Sequence, residues 1–150
     1  MYDSTIKGVV EFALEKEGEA GALYRSLAQQ IETERSAAIF AELAVEEDKH
    51  YEALKNLDLS AVEGADTEEI EDLKISDYLH DVSYSPDMSY QDILVLAMKA
   101  EEHSHSLYKG LAQNTDDDEL KKIFEFLAAQ EARHKLRLET EYDEYVLVED

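Results

Sequence analysis

A chain of 150 residues with 44% apolar content is long enough to bury a sizeable core, and residues 1–150 are expected to form one domain. A net charge of −23, from 14 basic against 37 acidic residues, argues against nucleic acid or an anionic membrane surface as partner. The absence of cysteine excludes disulfides, zinc ribbons and thiolate iron sites, so any metal must be held by oxygen and nitrogen donors.

Glycine (5) and proline (1) are scarce, which favours helices over sheet. The opening stretch MYDSTIKGVVEF has no basic segment followed by an apolar run, and no secretory signal is read there. No apolar stretch approaches the roughly 18 residues a membrane span needs, and a cytoplasmic location is expected.

Taken in chain order, four segments carry apolar residues at helical spacing. The first, about 4–31, places Ile6, Val9, Val10, Ala13, Leu14, Ala20, Leu23, Tyr24, Leu27 and Ala28 on one side. The second, about 34–57, does so with Ile39, Phe40, Leu43, Ala44, Leu54 and Leu57. The third opens at Ser89, where Ser-x-x-Asp to Asp92 resembles a capping box, and continues through Ile93, Leu94, Leu96, Ala97, Leu107, Tyr108 and Leu111. The fourth follows the acidic run Asp116–Glu119, suited to the positive end of a helix, and carries Leu120, Ile123, Phe124, Leu127, Ala128 and Leu138 toward Tyr145. Short connections make the first and second segments, and the third and fourth, antiparallel hairpins. Residues 58–88 differ, with a short helix expected within 67–82, and are long enough to cross over between hairpins. The expected class is all-α: a four-helix bundle of two hairpins and one long crossover, folded within one chain or domain-swapped between two.

The second half repeats the first at an offset of 84 residues. EGEAGALYRSLAQ from Glu17 lies over EEHSHSLYKGLAQ from Glu101, and IFAELAVEEDKH from Ile39 over IFEFLAAQEARH from Ile123. Between 17–54 and 101–138, 13 of 38 positions are identical, and these include Glu17, Glu47, His50, Glu101, Glu131 and His134. One Glu on one helix and Glu-x-x-His on the next, twice over, is the ligand set of a carboxylate-bridged dinuclear metal site. Within each half, Glu and His at i, i+3 share a helix face and can reach one point. Four carboxylates balance two divalent cations with both histidines neutral, and the mixed donors suit iron or manganese better than calcium. Glu47 and Glu131 are assigned as bridging ligands, Glu17 and Glu101 as terminal ones, with His50 and His134 binding one metal each.

Glu-x-x-His alone is weak evidence in so acidic a chain: Glu102 with His105 makes a third copy, and Asp77 with His80 nearly a fourth. Registered duplication is what distinguishes the six. Tyr24 and Tyr108, two turns beyond Glu17 and Glu101, are either hydrogen-bond donors to a ligand carboxylate or core aromatics. His103 and His105 align with Glu19 and Gly21, outside the repeated set; His105, one turn beyond Glu101, either touches the site or, the reading favoured, is solvated. His80 reads as a surface residue, and the ETEYDEY tail with Tyr142 and Tyr145 as a helix end meeting solvent.

The segments EKEGEAGALYRSLA, ELAVEEDKHYEAL, KAEEHSHSLYKGLA and FLAAQEARHKLRL together resemble the rubrerythrin family of the ferritin-like superfamily. The resemblance covers nearly the whole chain outside the crossover. It implies a ferritin-like di-iron domain, dimeric or larger, that reduces hydrogen peroxide as diferrous iron becomes diferric. By motif position it implies Glu17, Glu47, His50, Glu101, Glu131 and His134 as ligands. Two departures stand out. The cysteine-free chain lacks the rubredoxin domain that typical members carry, so electrons must come from a separate donor such as a rubredoxin-type protein. Ser104 stands where typical members have a second carboxylate three residues after the third-helix Glu.

The function expected is that of a non-haem di-iron oxidoreductase acting on peroxide or dioxygen as a homodimer. The alternative is a ferroxidase or iron-storage protein of the same superfamily. A manganese or mixed site, a structural bundle and direct oxidation of an organic substrate are further alternatives.

Overall fold

The apolar stripes become helices α1 (Ile6–Gln30), α2 (Glu34–Lys55), α3 (Tyr90–Asn114) and α4 (Asp118–Glu149). They are seen in a computed structural model that describes residues 5–65, 84–85 and 87–149. The short helix expected within 67–82 falls outside the described residues, while Ser60–Val62 forms a 3-10 turn. The chain divides into two compact units, Met1–Ala65 with α1 and α2, and Asp66–Asp150 with α3 and α4.

In the first unit, Thr5 is extended and its hydroxyl accepts from the Gly8 amide at 3.0 Å, satisfying one of the open donors at the start of α1. The Ile6 amide donates to the Ala65 carbonyl at 3.0 Å, so the end of this unit is pinned to its beginning. Gly64, at φ +77°, makes that return possible in a region where a Cβ is disfavoured. Helix α1 stops where Ile31 turns extended, its amide donating back to Leu27. Only three residues separate the helices, so α2 returns antiparallel along α1. Ile6, Val9, Val10, Phe12, Ala13, Tyr24 and Leu27 are buried on α1, and Phe40, Leu43, Ala44 and Leu54 on α2.

The second unit repeats this plan with different caps. Ser89 caps α3 as its Ser-x-x-Asp pattern predicts, accepting from the Asp92 amide at 3.1 Å. At the other end, the Thr115 hydroxyl donates to the Leu111 carbonyl at 2.7 Å. Asp117 then caps α4: its carboxylate accepts from the Leu120 amide at 3.0 Å and its carbonyl from Lys121 at 2.9 Å. The acidic run therefore starts the helix, as expected. Helix α4 passes Tyr145, its expected end, and continues to Glu149. Leu94, Ala97, Leu107, Tyr108 and Leu111 of α3 are buried, as are Leu120, Phe124, Leu127 and Leu138 of α4. Ile39 and Ile123, equivalent in the repeat, are only half-buried.

Candidate metal centre

Close approach of α1 to α2 sets the first cluster. At Gly21 a Cβ would stand 2.7 Å from Asp48 Oδ1, and at Gly18 it would lie 3.6 Å from the Tyr51 ring. Beside this contact Glu17 projects from α1, and Glu47 and His50, one turn apart, project from α2. All three are buried, at 2%, 1% and 5% exposure. His50 Nδ1 lies 3.4 Å from Glu17 Oε2 and 3.8 Å from Glu47 Oε1. Each of the three brings a ligand atom within 4.8 Å of the others.

The second unit builds the same cluster from Glu101 on α3 and Glu131 and His134 on α4, at 2%, 0% and 2% exposure. His134 Nδ1 stands 3.5 Å from Glu101 Oε2 and 3.8 Å from Glu131 Oε1. The two clusters thus agree to 0.1 Å in the first spacing (3.5 against 3.4 Å) and match in the second. Two donors 3.4 or 3.8 Å apart subtend about 110° or 130° at an ion about 2.1 Å from each, angles that an open coordination sphere accepts. Two carboxylates buried beside one imidazole are costly for folding on their own, and a divalent cation offsets that cost. The donor set therefore suits a metal ion, and each trio can contribute to holding one.

The other candidate residues are placed elsewhere. Glu102 is half-exposed and its carboxylate accepts from Lys135 Nζ at 2.8 Å. That ammonium holds the Glu102 carboxyl below the usual range, against a weaker upward push from burial. His105 Nδ1 lies 2.8 Å from the Ala128 carbonyl. The third Glu-x-x-His is therefore divided between a surface ion pair and a backbone contact, and His105 is half-buried rather than solvated. In the repeat, His105 and Ala132 stand at the positions of Gly21 and Asp48. His103 is half-buried, and Ser104 is buried at 8% exposure with a hydroxyl in place of a carboxylate. Asp77 and His80 fall outside the described residues. Tyr24 and Tyr108 are both 1% exposed, and Tyr24 packs against Phe40 with ring centroids 5.6 Å apart.

One carboxylate escapes sequence reasoning. Glu141 lies in a tail expected to meet solvent, yet it is only 3% exposed and accepts from the Tyr90 hydroxyl at 2.5 Å. Its spacing offers the signal: Glu131, His134, Leu138 and Glu141 fall on one face of α4.

No described helix is long and apolar enough to cross a membrane. No curated protein matches the chain. Among solved structures, a candidate ferritin-like diiron-carboxylate protein from Thermotoga maritima superposes with a TM-score of 0.75 at 21% identity, covering 97% of this chain and 99% of its own. A hypothetical protein from Pyrococcus furiosus gives 0.67 at 24% identity, covering 93% and 89%. These likenesses establish the ferritin-like fold. The Rubrerythrin family model matches residues 9–80 and 92–150, which takes in both trios, and the chain belongs to the rubrerythrin family.

Proposed function

We propose that the two trios together hold a dinuclear iron centre that reduces hydrogen peroxide with electrons from a separate donor. The observation that carries this reading is the duplication itself, in which each unit buries Glu and Glu-x-x-His with the same imidazole–carboxylate spacing. Family membership and the oxygen and nitrogen donor set support it. When bound, a ferrous pair supplies the two electrons that, with two protons, convert one peroxide into two waters.

The protein's part is to hold, exclude and deliver protons. Glu47 and Glu131 would serve as the shared carboxylates and Glu17 and Glu101 as the terminal ones, while His50 and His134 would ligate through Nδ1, the nitrogen that lies near the carboxylates. Burial of all six keeps bulk water away from the reacting oxygens. Side chains on a helix lean toward its N-terminus, and the buried Tyr24 and Tyr108, two turns beyond Glu17 and Glu101, would each donate a hydrogen bond to a ligand oxygen in this reading. The outward face of α4, with Phe126 at 59% and Leu136 at 62% exposure, is available to a second copy in a homodimer.

An anaerobic ferrous-iron titration tests the centre, with saturation expected at about two irons per chain and loss of binding in Glu47→Gln/Glu131→Gln. Stopped-flow mixing of the loaded protein with peroxide then tests the reaction. Oxidation by peroxide no faster than that of free ferrous ion defeats the proposal. Rapid oxidation by dioxygen, with iron retained well beyond the ligand stoichiometry, favours the ferroxidase reading instead.

A further inference from the structure

Half-buried Tyr90 and buried Glu141 form a phenol–carboxylate pair that no assigned role uses. Glu141, at 3% exposure, accepts from the Tyr90 hydroxyl at 2.5 Å. The Tyr145 ring meets Tyr90 edge-on, with centroids 5.0 Å apart at 74°, and Tyr145 is half-buried. Next to them Gln91 Nε2 donates to the Tyr142 hydroxyl at 3.0 Å. All of these residues lie in the second unit, on the helices that also carry Glu101, Glu131 and His134. Glu141 is two turns beyond His134 on the same face, about 10 Å along α4, and Tyr90 is about 16 Å along α3 from Glu101.

Helix pinning alone does not require this chemistry. In the first half, the positions equivalent to Tyr90 and Glu141 are Ile6 and Leu57, and Ile6 starts α1 fully buried without a polar partner of this kind. The second half instead buries a carboxylate, which is costly unless it is bonded. A phenol hydrogen-bonded to a carboxylate can lose an electron and its proton together, avoiding a phenol cation.

We propose that Tyr90, with Glu141 as proton acceptor and Tyr145 as the residue that re-reduces it, is a one-electron relay that supplies single electrons to the second trio. This rests on the peroxide reading. Reduction of peroxide to two waters takes two electrons, and where the iron centre can give only one, the second is drawn from Tyr90. In that step the Tyr90 O–H bond breaks, its proton passes to the Glu141 carboxylate, and a neutral phenoxyl radical remains beside a carboxylic acid. Tyr145 then returns the electron: Tyr90 recovers its proton from Glu141, and the Tyr145 phenolic proton leaves to solvent. The radical then rests on Tyr145, where a soluble thiol reduces it by giving up a hydrogen atom.

The test is electron paramagnetic resonance on iron-loaded protein frozen after mixing with peroxide. A tyrosyl signal is expected in the parent protein, lost in Tyr90→Phe and lost in Glu141→Gln, which keeps the shape but cannot take the proton. Tyr145→Phe is expected to lengthen the life of the Tyr90 signal. A signal unchanged in Tyr90→Phe, or no signal although the optical spectrum shows the iron oxidised, overturns the proposal. A second arm uses zinc-loaded protein and photogenerated tris(bipyridine)ruthenium(III) as oxidant. There a Tyr90-dependent, Glu141-dependent radical supports the relay, and its absence overturns it. Iron left ferrous by peroxide in the first arm would defeat the peroxide reading, and with it the relay's coupling to the iron centre. The ruthenium arm then still shows whether the pair itself is redox-active, so the two failures are distinguishable. Helix content and melting temperature confirm that each variant is folded.

Discussion

Glu131→Gln should stabilise the metal-free protein and abolish its stabilisation by metal. Glu131 is fully buried, and it shares with Glu101 a cluster whose ligand atoms lie within 4.8 Å of one another. Two carboxylate charges at that distance repel by about 3.5 kcal/mol at an effective dielectric of about 20. Removing one charge while keeping the shape of the side chain recovers part of this, roughly 1–3 kcal/mol once altered hydrogen bonding is allowed for. For a chain of this size that is a rise of about 2–12 °C in melting temperature. Metal at about 100 times its dissociation constant should add about 2.7 kcal/mol per site to the parent protein. That is a further rise of about 5–11 °C, absent in the variant. Leu127→Ala, one turn away at 1% exposure, is the control for ordinary core damage and should cost about 2–5 kcal/mol with the metal response retained. Calorimetry in chelator and in metal buffer reads all three proteins. A Glu131→Gln protein that melts as low as Leu127→Ala and still responds fully to metal would refute the reasoning.

The remaining predictions concern the frame around the site. Gly64→Ala should destabilise by about 1 kcal/mol from its φ of +77° alone, because no heavy atom lies within 4 Å of the added Cβ; urea unfolding measures it. Ser89→Ala removes the cap of α3 and should cost about 1 kcal/mol, restored in large part by Ser89→Asp. Glu102→Gln and His105→Ala should each leave iron stoichiometry unchanged, because neither side chain belongs to the trios. The Glu102–Lys135 pair is solvent-screened, so its stability effect should stay below about 1 kcal/mol. Its sign follows from the lowered Glu102 value: the contribution is present above the ordinary carboxylate range and is lost as pH falls through the folded-state value. A melting-temperature series from neutral to acid pH, with Glu102→Gln alongside, isolates it.

How much of this was legible beforehand depends on period and register. The four helices show in the sequence because 3.6-residue spacing of apolar groups is local information, and so are the caps at Ser89 and within Asp116–Glu119. The six acidic and histidine candidates show because duplication at an offset of 84 preserves them together, which composition alone does not explain. Other features depend on what faces a residue across the hairpin. Glu102 and His105 have the same spacing as Glu131 and His134, yet Lys135 and the Ala128 carbonyl take them up. Glu141 reads as one more acid in a solvated tail, and only the return of α4 beside the start of α3 encloses it with Tyr90. The helices, the repeat and the ligand types follow from spacing along one chain, which is local information. Tertiary structure decided which carboxylates lose their water and which keep it, because desolvation depends on neighbours distant in sequence.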